Sequence, residues 1–388
     1  MSKKKFSVNG TFKDSVNTVK FLTERKKFID RAEAVLPTRT DDFGVNKVAR
    51  SLHPKEQKLV ISRIEEHSDI AKSYYFKGEK ELAYFKAGQY LTFKLEIGNS
   101  VVTRSYSIAS SPASALNGEY QITVKRIADG FVSDYILDNW NVGDEVFAYA
   151  PEGNMTYSPL RDAENIVAIA GGSGITPFLS LARAIDQGDE DCALTLLYGC
   201  RTSSEILFKE ELDSLSEKNE KINVVYVLSH SEEEGYEKGF VGADIIKKYA
   251  PSEVYSIFVC GPGGMYKFLE TELPKLEKER KYIRFEVFSS GKKTEEAKEF
   301  NITVINRGNE LVIKANSNET VLCAFERAGI VVPARCHTGE CGFCRSKLVS
   351  GKVYIPEGED KRRIADMQFN FIHPCCCYPE SDLVIRIN

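Results

Sequence analysis

No uninterrupted apolar run in the 388 residues approaches the ~18 needed to span a bilayer. The longest apolar stretches, 166–170 and 254–260, have the length of strands. The opening residues, MSKKKFSVNG, carry lysines but no apolar core segment, so they do not read as a secretory signal. The expected compartment is therefore the cytoplasm. There is no internal repeat and no low-complexity tract. Histidine is scarce, at five, so the lone His53, His67 and His230 read as surface or structural residues. Charge of one sign is also lacking: the net of −4 argues against a nucleic-acid binder.

What is present is ordinary for a globular chain, with 42% apolar and 28% charged residues. Disorder of the whole chain is excluded, and at roughly 100–200 residues per domain two to four domains are expected. Residues 1–52 form a basic extension with twelve Lys/Arg against six Asp/Glu. In it, Asp14 or Ser15 could cap a helix running to about Ala34, before Pro37. Residues 53–160 alternate apolar and polar positions in short runs separated by Ala87-Gly88, Asn117-Gly118, Asp129-Gly130 and Gly143-Asp144, which predicts an antiparallel barrel. Residues 161–288 alternate strands and helices, with helices expected at 176–185, 204–214, 241–248 and 266–273, which predicts a doubly wound parallel sheet. The polar 289–298 reads as a linker, and 299–388 as a compact third domain.

The ten cysteines are unevenly spread. Cys192, Cys200 and Cys260 sit in apolar strand contexts and Cys323 in an apparent helix. The other six crowd into 336–377. Cys336, Cys341 and Cys344 give C-x4-C-x2-C, and Cys375 follows after thirty residues. This is the spacing of plant-type [2Fe–2S] ferredoxins. Gly339 and Gly342 let backbone amides turn toward the sulfurs, which tunes the potential. Structural zinc prefers two C-x2-C knuckles and only one is present. Rieske ligation needs a second histidine beside His337. A disulfide framework does not suit this context. The run Cys375-Cys376-Cys377 leaves the fourth ligand open; similar ferredoxins continue after it with two residues, an aromatic and a proline, and this resemblance implies Cys375, which Tyr378-Pro379 follows, with Cys376 or Cys377 able to replace it.

Arg104-Ser105-Tyr106-Ser107 ends a barrel strand. Arginine offers a fork to phosphate, tyrosine a ring to stack on a flavin, and a hydroxyl a partner for flavin N5. Gly130-Phe131-Val132-Ser133 opens a helix, a ready anion site. Gly171-Gly172-Ser173-Gly174-Ile175-Thr176-Pro177 follows a buried strand and opens another helix, where backbone can approach a pyrophosphate. Cys260-Gly261-Pro262-Gly263-Gly264-Met265 is a second strand–turn–helix. Taken alone, each motif has a plain reading as strand, cap or turn. Cys260 could be a small core residue, and Glu286 and Phe288 an exposed carboxylate and a core ring.

Together and in this order, R-x-Y-S, G-x-x-S, G-G-x-G-x-T-P and C-G-P resemble the ferredoxin–NADP reductase superfamily. The C-terminal cysteines make the chain similar to its three-part reductases, such as those of phthalate dioxygenase, phenylacetyl-CoA epoxidase and hybrid-cluster protein. The resemblance covers about 53–388 and implies a multidomain α/β and β architecture. Its parts are a flavin-binding antiparallel β-barrel, a parallel-sheet NAD(P)H domain and a β-grasp ferredoxin domain. It implies that Arg104, Ser105, Tyr106 and Ser107 hold the flavin, with Gly130, Val132 and Ser133 at its diphosphate. Gly172, Gly174, Thr176, Arg201, Cys260, Gly261 and Pro262 would hold the nicotinamide cofactor, and Phe288 would reach the flavin edge. Ser107, Cys260 and Glu286 would act at the hydride-transfer point. FAD is preferred to FMN. Arg201 could meet a 2′-phosphate, yet NADH is preferred to NADPH. The implied activity is hydride transfer from NAD(P)H to flavin, single electrons to the cluster, and delivery to a protein acceptor such as a terminal oxygenase. Two alternatives stay open: an electron-transfer subunit of the dihydroorotate dehydrogenase type, against which the thirty-residue gap argues, and a redox sensor or scaffold docking through its basic extension. Residues 298–388 hold twelve Lys/Arg and eleven Asp/Glu, so docking through a strongly acidic face is not expected.

Overall fold

The computed structural model describes residues 12–34, 54, 56–79, 81–127, 131–286, 297–356 and 360–387. The chain divides into two compact units, Met1–Leu52 and His53–Asn388. In the first, one helix, α1, runs Phe12–Ala34. It starts ahead of Asp14 and Ser15, so those two are not its cap. Val16, Val19 and Leu22 are exposed on it. The irregular segment expected at 38–52 lies outside the described residues, as does most of the linker expected at 289–298.

The second unit is built on three main sheets. The first comprises β1 (Gln57–Ser68), β2 (Ala71–Gly78), β3 (Tyr90–Ile97), β4 (Ser100–Ser107), β5 (Glu119–Lys125) and β6 (Glu145–Ala148). Its order is β4-β3-β6-β1-β2-β5, all antiparallel. A bridge between Ile108 and Ile122 brings the two edges together. Helices α2 (Pro112–Leu116) and α3 (Phe131–Asn139) lie before and after β5. β2 gives no alternating signal in the sequence because Ser73, Tyr74, Tyr75 and Phe76 are all buried, so both faces are covered.

The second sheet comprises β7 (Asn165–Gly171), β8 (Ala193–Cys200), β9 (Ile222–Leu228), β10 (Glu237–Lys238), β11 (Tyr255–Cys260) and β12 (Ile283–Glu286). Its helices are α4 (Thr176–Asp186), α5 (Lys209–Lys218), α6 (Ala243–Tyr249) and α7 (Gly263–Glu272). The strands are parallel in the order β10-β9-β8-β7-β11-β12. The order reverses between β7 and β11, and ligands of such sheets bind at the carboxyl ends beside that point. The helix expected at 204–214 is a short 3-10 turn at Ser203–Glu205 followed by α5. Phe208, with φ of 59°, breaks the two apart.

The third sheet comprises β13 (Glu299–Asn306), β14 (Asn309–Asn316), β15 (Ser346–Ser350), β17 (Phe371–Ile372) and β19 (Leu383–Ile387), with a small β16 (Val353–Tyr354) and β18 (Tyr378–Pro379) pair. Helix α8 (Val321–Arg327) packs on it through Val321, Ala324 and Phe325, and α9 is the short Ile364–Gln368. Thr320 caps α8 by accepting from the amide of Cys323 at 3.2 Å.

The first two sheets share a core. Ala71, Ala87, Ala109, Met155 and Tyr157 are buried in one cluster with Phe178, Leu196 and Tyr198. Arg183 adds hydrogen bonds to the Ala109 carbonyl and to Gln121 Oε1 at 2.8 and 2.6 Å. Asp162, with its side chain fully buried, pairs with Arg284 and so anchors β12.

Candidate electron-transfer site

The two glycine turns follow β7 and β11, adjacent strands at the switch point. They touch. A Cβ on Gly174 would lie 2.2 Å from the Cys260 carbonyl oxygen, and one on Gly171 would lie 2.7 Å from Pro262 Cδ. Gly174 is thus required by the approach of one turn to the other. Gly172 has φ of 54°, and a Cβ there would come no closer than 3.8 Å to the Lys125 ammonium. Around Gly263 and Gly264 nothing lies within 4 Å of a Cβ position, so the mouth of the second turn is open to a close-lying ligand. Thr176 is buried and donates to the Ser173 carbonyl at 3.1 Å.

Cys260 and Glu286 are register partners on β11 and β12. Ser107, at the end of β4, donates to Glu286 Oε2 at 3.4 Å. Burial raises the Glu286 carboxyl to about 8, with the nearby Glu340 adding to the rise and Ser107 opposing it. At neutral pH this carboxyl holds its proton. Burial likewise keeps Cys260 a thiol. Tyr266 clamps the corner: its hydroxyl accepts from the Gly261 amide at 2.9 Å and donates to the Glu286 carbonyl. Ser107, Cys260 and Glu286, far apart in sequence, are thus brought together.

Arg104 and Tyr106 alternate with Ser105 and Ser107 along β4. Tyr106 lies edge-on to Phe93 at 6.2 Å and is held neutral by burial. Ser105 Oγ bonds Thr92 Oγ1 at 2.9 Å and the Arg335 carbonyl at 3.3 Å. Arg104 reaches Glu326 on α8 with both terminal nitrogens, at 3.1 and 2.9 Å. Val132 and Ser133 are buried at the start of α3, and Ser133 Oγ accepts from the Ile127 amide at 3.4 Å. Arg201 is exposed and paired with Glu205 at 2.7 Å. Gly130 and Phe288 lie outside the described residues.

Four thiols meet in the loop between α8 and β15 and the turn before β18. Cys336 contacts Cys341 and Cys375, and Cys375 contacts Cys344. Among the described residues no three ligating side chains close on a single ion; the sulfurs touch in the order Cys341–Cys336–Cys375–Cys344. Amides of Thr338 and Cys341 donate to Cys336 Sγ at 3.4 Å each. The Cys341 and Cys375 side chains, helped by these amides, hold the Cys336 thiol below its usual range. Gly339 and Gly342 have φ of 78° and 70°, which makes such a tight loop possible. Cys376 Sγ points to the His373 carbonyl at 3.4 Å, and Cys377 is buried in the apolar core of this sheet. Cys375 is the member of the run that faces the other thiols, and this donor set fits a two-iron cluster.

The sequence reading missed Tyr90. Burial first of all keeps its phenol neutral, and it lies within electrostatic reach of Glu152, Cys336, Glu286 and Cys341, and so of both the Ser107–Glu286 corner and the thiols. No motif marks it; only its place at the start of β3, opposite Ser107, does so.

Profiles of three known domain families match the chain: the oxidoreductase FAD-binding domain over residues 58–157, the oxidoreductase NAD-binding domain over 168–271, and the 2Fe-2S iron-sulfur cluster binding domain over 304–380. The chain belongs to the ferredoxin–NADP reductase-type family. It is 26% identical over 350 residues to the glycine betaine monooxygenase reductase subunit of Chromohalobacter salexigens, covering 84% of this chain and 94% of that one. It is 29% identical over 350 residues to one subunit of the 1,2-phenylacetyl-CoA epoxidase of Escherichia coli, covering 84% and 96%. Its fold is similar to that of phthalate dioxygenase reductase, with a TM-score of 0.65 at 24% identity over 85% and 97% of the two chains. This family member is an NAD(P)H-dependent electron-transfer flavoprotein with FAD, nicotinamide and [2Fe–2S] sites. Among the described residues no helix is long and apolar enough to cross a membrane.

Proposed function

We propose that the chain is the reductase component of a terminal oxygenase system, drawing on NADH and working in the cytoplasm. The relatives that match nearly end to end serve oxygen-inserting enzymes. When bound, the flavin takes a hydride from NADH and the cluster takes electrons one at a time. In this reading the turns at Gly172, Gly174, Thr176 and at Cys260, Gly261, Pro262 seat the nicotinamide nucleotide. Arg104, Ser105, Tyr106 and Ser107 hold the flavin, with Gly130, Val132 and Ser133 at its diphosphate and Phe288 at its edge. Glu286, neutral at pH 7, keeps its proton while Oε2 accepts from Ser107 Oγ, so no net negative charge opposes the arriving hydride. Cys260 fills the corner as a small neutral thiol. Cys336, Cys341, Cys344 and Cys375 ligate the cluster. The pairing of Arg201 with Glu205 favours NADH, because a 2′-phosphate there would face a carboxylate.

One observation carries the reading. Strand β4 presents Ser107 to Glu286 and, two and four residues earlier, Ser105 and Thr103 to the carbonyls of Arg335 and Ala334 beside the first cluster cysteine. The hydride corner and the cluster loop therefore share one strand. The test is an anaerobic absorbance titration of flavin- and cluster-loaded protein with NADH, then NADPH. Joint bleaching of flavin and cluster bands by NADH at low stoichiometry is expected; absence of flavin bleaching by either nucleotide would overturn it.

A further inference from the structure

The barrel and the cluster sheet are joined differently from the barrel and the nucleotide sheet. Among the described residues, no buried apolar cluster combines residues of the barrel with residues of the cluster sheet. The join is polar. Ser100 Oγ donates to the Glu326 carbonyl, Thr103 Oγ1 bonds the Ala334 carbonyl and His337 Nε2 at 3.0 Å each, and Ser105 Oγ donates to the Arg335 carbonyl. Arg335 returns to the barrel, reaching Glu152 Oε1 at 2.9 Å. At the centre is Arg104 on Glu326, bidentate, with the Glu326 side chain only 4% exposed. The Arg104 Nη1 also donates to the Thr103 carbonyl at 2.7 Å. Of the five guanidinium N–H groups, these three bonds leave Nε and one Nη2 hydrogen for a phosphate, so pairing with Glu326 and holding a flavin are compatible.

We propose that the Arg104–Glu326 pair is the latch that seats the cluster loop on the flavin strand, making Glu326 a positioning residue for electron transfer from flavin to cluster. The proposal rests on the flavin and cluster placement above. A buried bidentate pair has one good geometry, unlike an apolar contact that can slide. Glu326 lies on α8, and residues 328–335 connect the end of α8 at Arg327 to Cys336. The step it serves moves one electron from reduced flavin to the oxidised cluster, turning one ferric iron ferrous. NADH supplies two electrons as hydride, so the step occurs twice per NADH, the protein acceptor taking the first electron from the cluster before the second arrives, and the flavin's proton passes to solvent.

The test compares wild type, Glu326→Gln, Glu326→Ala and Glu326→Asp as full, loaded chains. Anaerobic stopped-flow with NADH separates flavin bleaching from cluster bleaching. Flavin bleaching is expected to stay within about twofold, while cluster bleaching slows on the order of tenfold or more in Gln and Ala, because small misplacements are costly. Aspartate is expected to restore part of the rate. Independently of turnover, amide hydrogen exchange is expected to rise at 100–105 and 333–338 in Gln and Ala, with the cluster spectrum and potential unchanged. Wild-type exchange and cluster bleaching in Glu326→Gln would overturn the latch. So would loss of the cluster in the isosteric Gln variant, which would make Glu326 a structural support of the cluster. Failure of the wild type itself to bleach with NADH would fault the flavin and nicotinamide assignment instead.

Discussion

Replacing Glu286 by glutamine tests whether the neutral state of that carboxyl matters. Burial raises it from 4.5 to about 8. At ~1.36 kcal/mol per pH unit, this corresponds to about 5 kcal/mol favouring the neutral over the charged form in the folded chain. The sign follows from the raised value. Below pH 4.5 the acid is neutral in folded and unfolded chains alike. As pH climbs through the folded value of about 8 the stabilisation is lost. The same ionisation would place a negative charge beside the proposed hydride corner. At an effective dielectric near 20, a like charge about 6–12 Å away costs roughly 1.4–2.8 kcal/mol, or about ten- to hundredfold in rate. The expected outcome, by anaerobic stopped-flow between about pH 6 and 9.5, is a flavin-reduction rate that falls above pH 8 in wild type and stays flat in Glu286→Gln. Infrared difference spectra should show a protonated carboxyl band at pH 7 that the variant lacks. A wild-type profile flat through pH 8, or one that the variant reproduces, would refute the reasoning.

The remaining predictions concern the turns and the thiols. Cys375→Ala should abolish the reduced-cluster electron paramagnetic resonance signal, whereas Cys377→Ala should keep it, because Cys377 faces the apolar core. Gly174→Ala should cost about 2–4 kcal/mol, since its Cβ would meet the Cys260 carbonyl and force the two turns apart; a thermal melt and a rise in KM for NADH would show it. Glu205→Gln should raise kcat/KM for NADPH by about three- to tenfold, the modest size set by the exposure of Arg201, with little change for NADH.

Local chemistry was legible in the sequence. The two glycine turns, the C-x4-C-x2-C loop and the strand ending in Ser107 all lie where spacing and periodicity put them, because each is decided within a dozen residues. β2 escaped because burial on both faces removes alternation. The helix at 204–214 was misplaced because a left-handed Phe208 carries no propensity signal. Gly174 was read as a phosphate contact, and its tight approach to Cys260 could not be seen from either motif alone.

The join between barrel and cluster sheet shows where sequence reasoning ends. Arg104 and Glu326 are 222 positions apart, and Thr103 and Ala334 are 231 apart. Neither Glu326 nor Tyr90 belongs to a motif, and a glutamate on a short helix reads as a solvated charge. The structure reverses that reading by burying it against the one arginine that the flavin motif supplies. On the proposed reading, the arginine that serves the flavin in its own domain also fixes the neighbouring domain. That dual use would follow from the lack, among the described residues, of a shared apolar core: where two surfaces meet through polar groups, orientation must come from directional bonds. The strongest directional bond available on β4 is the fork of Arg104. On the proposed reading R-S-Y-S is the flavin side of this strand, and its hydrogen bonds to Glu326, Ala334 and Arg335, which no spacing marks, put the start of the path to the cluster on the same strand.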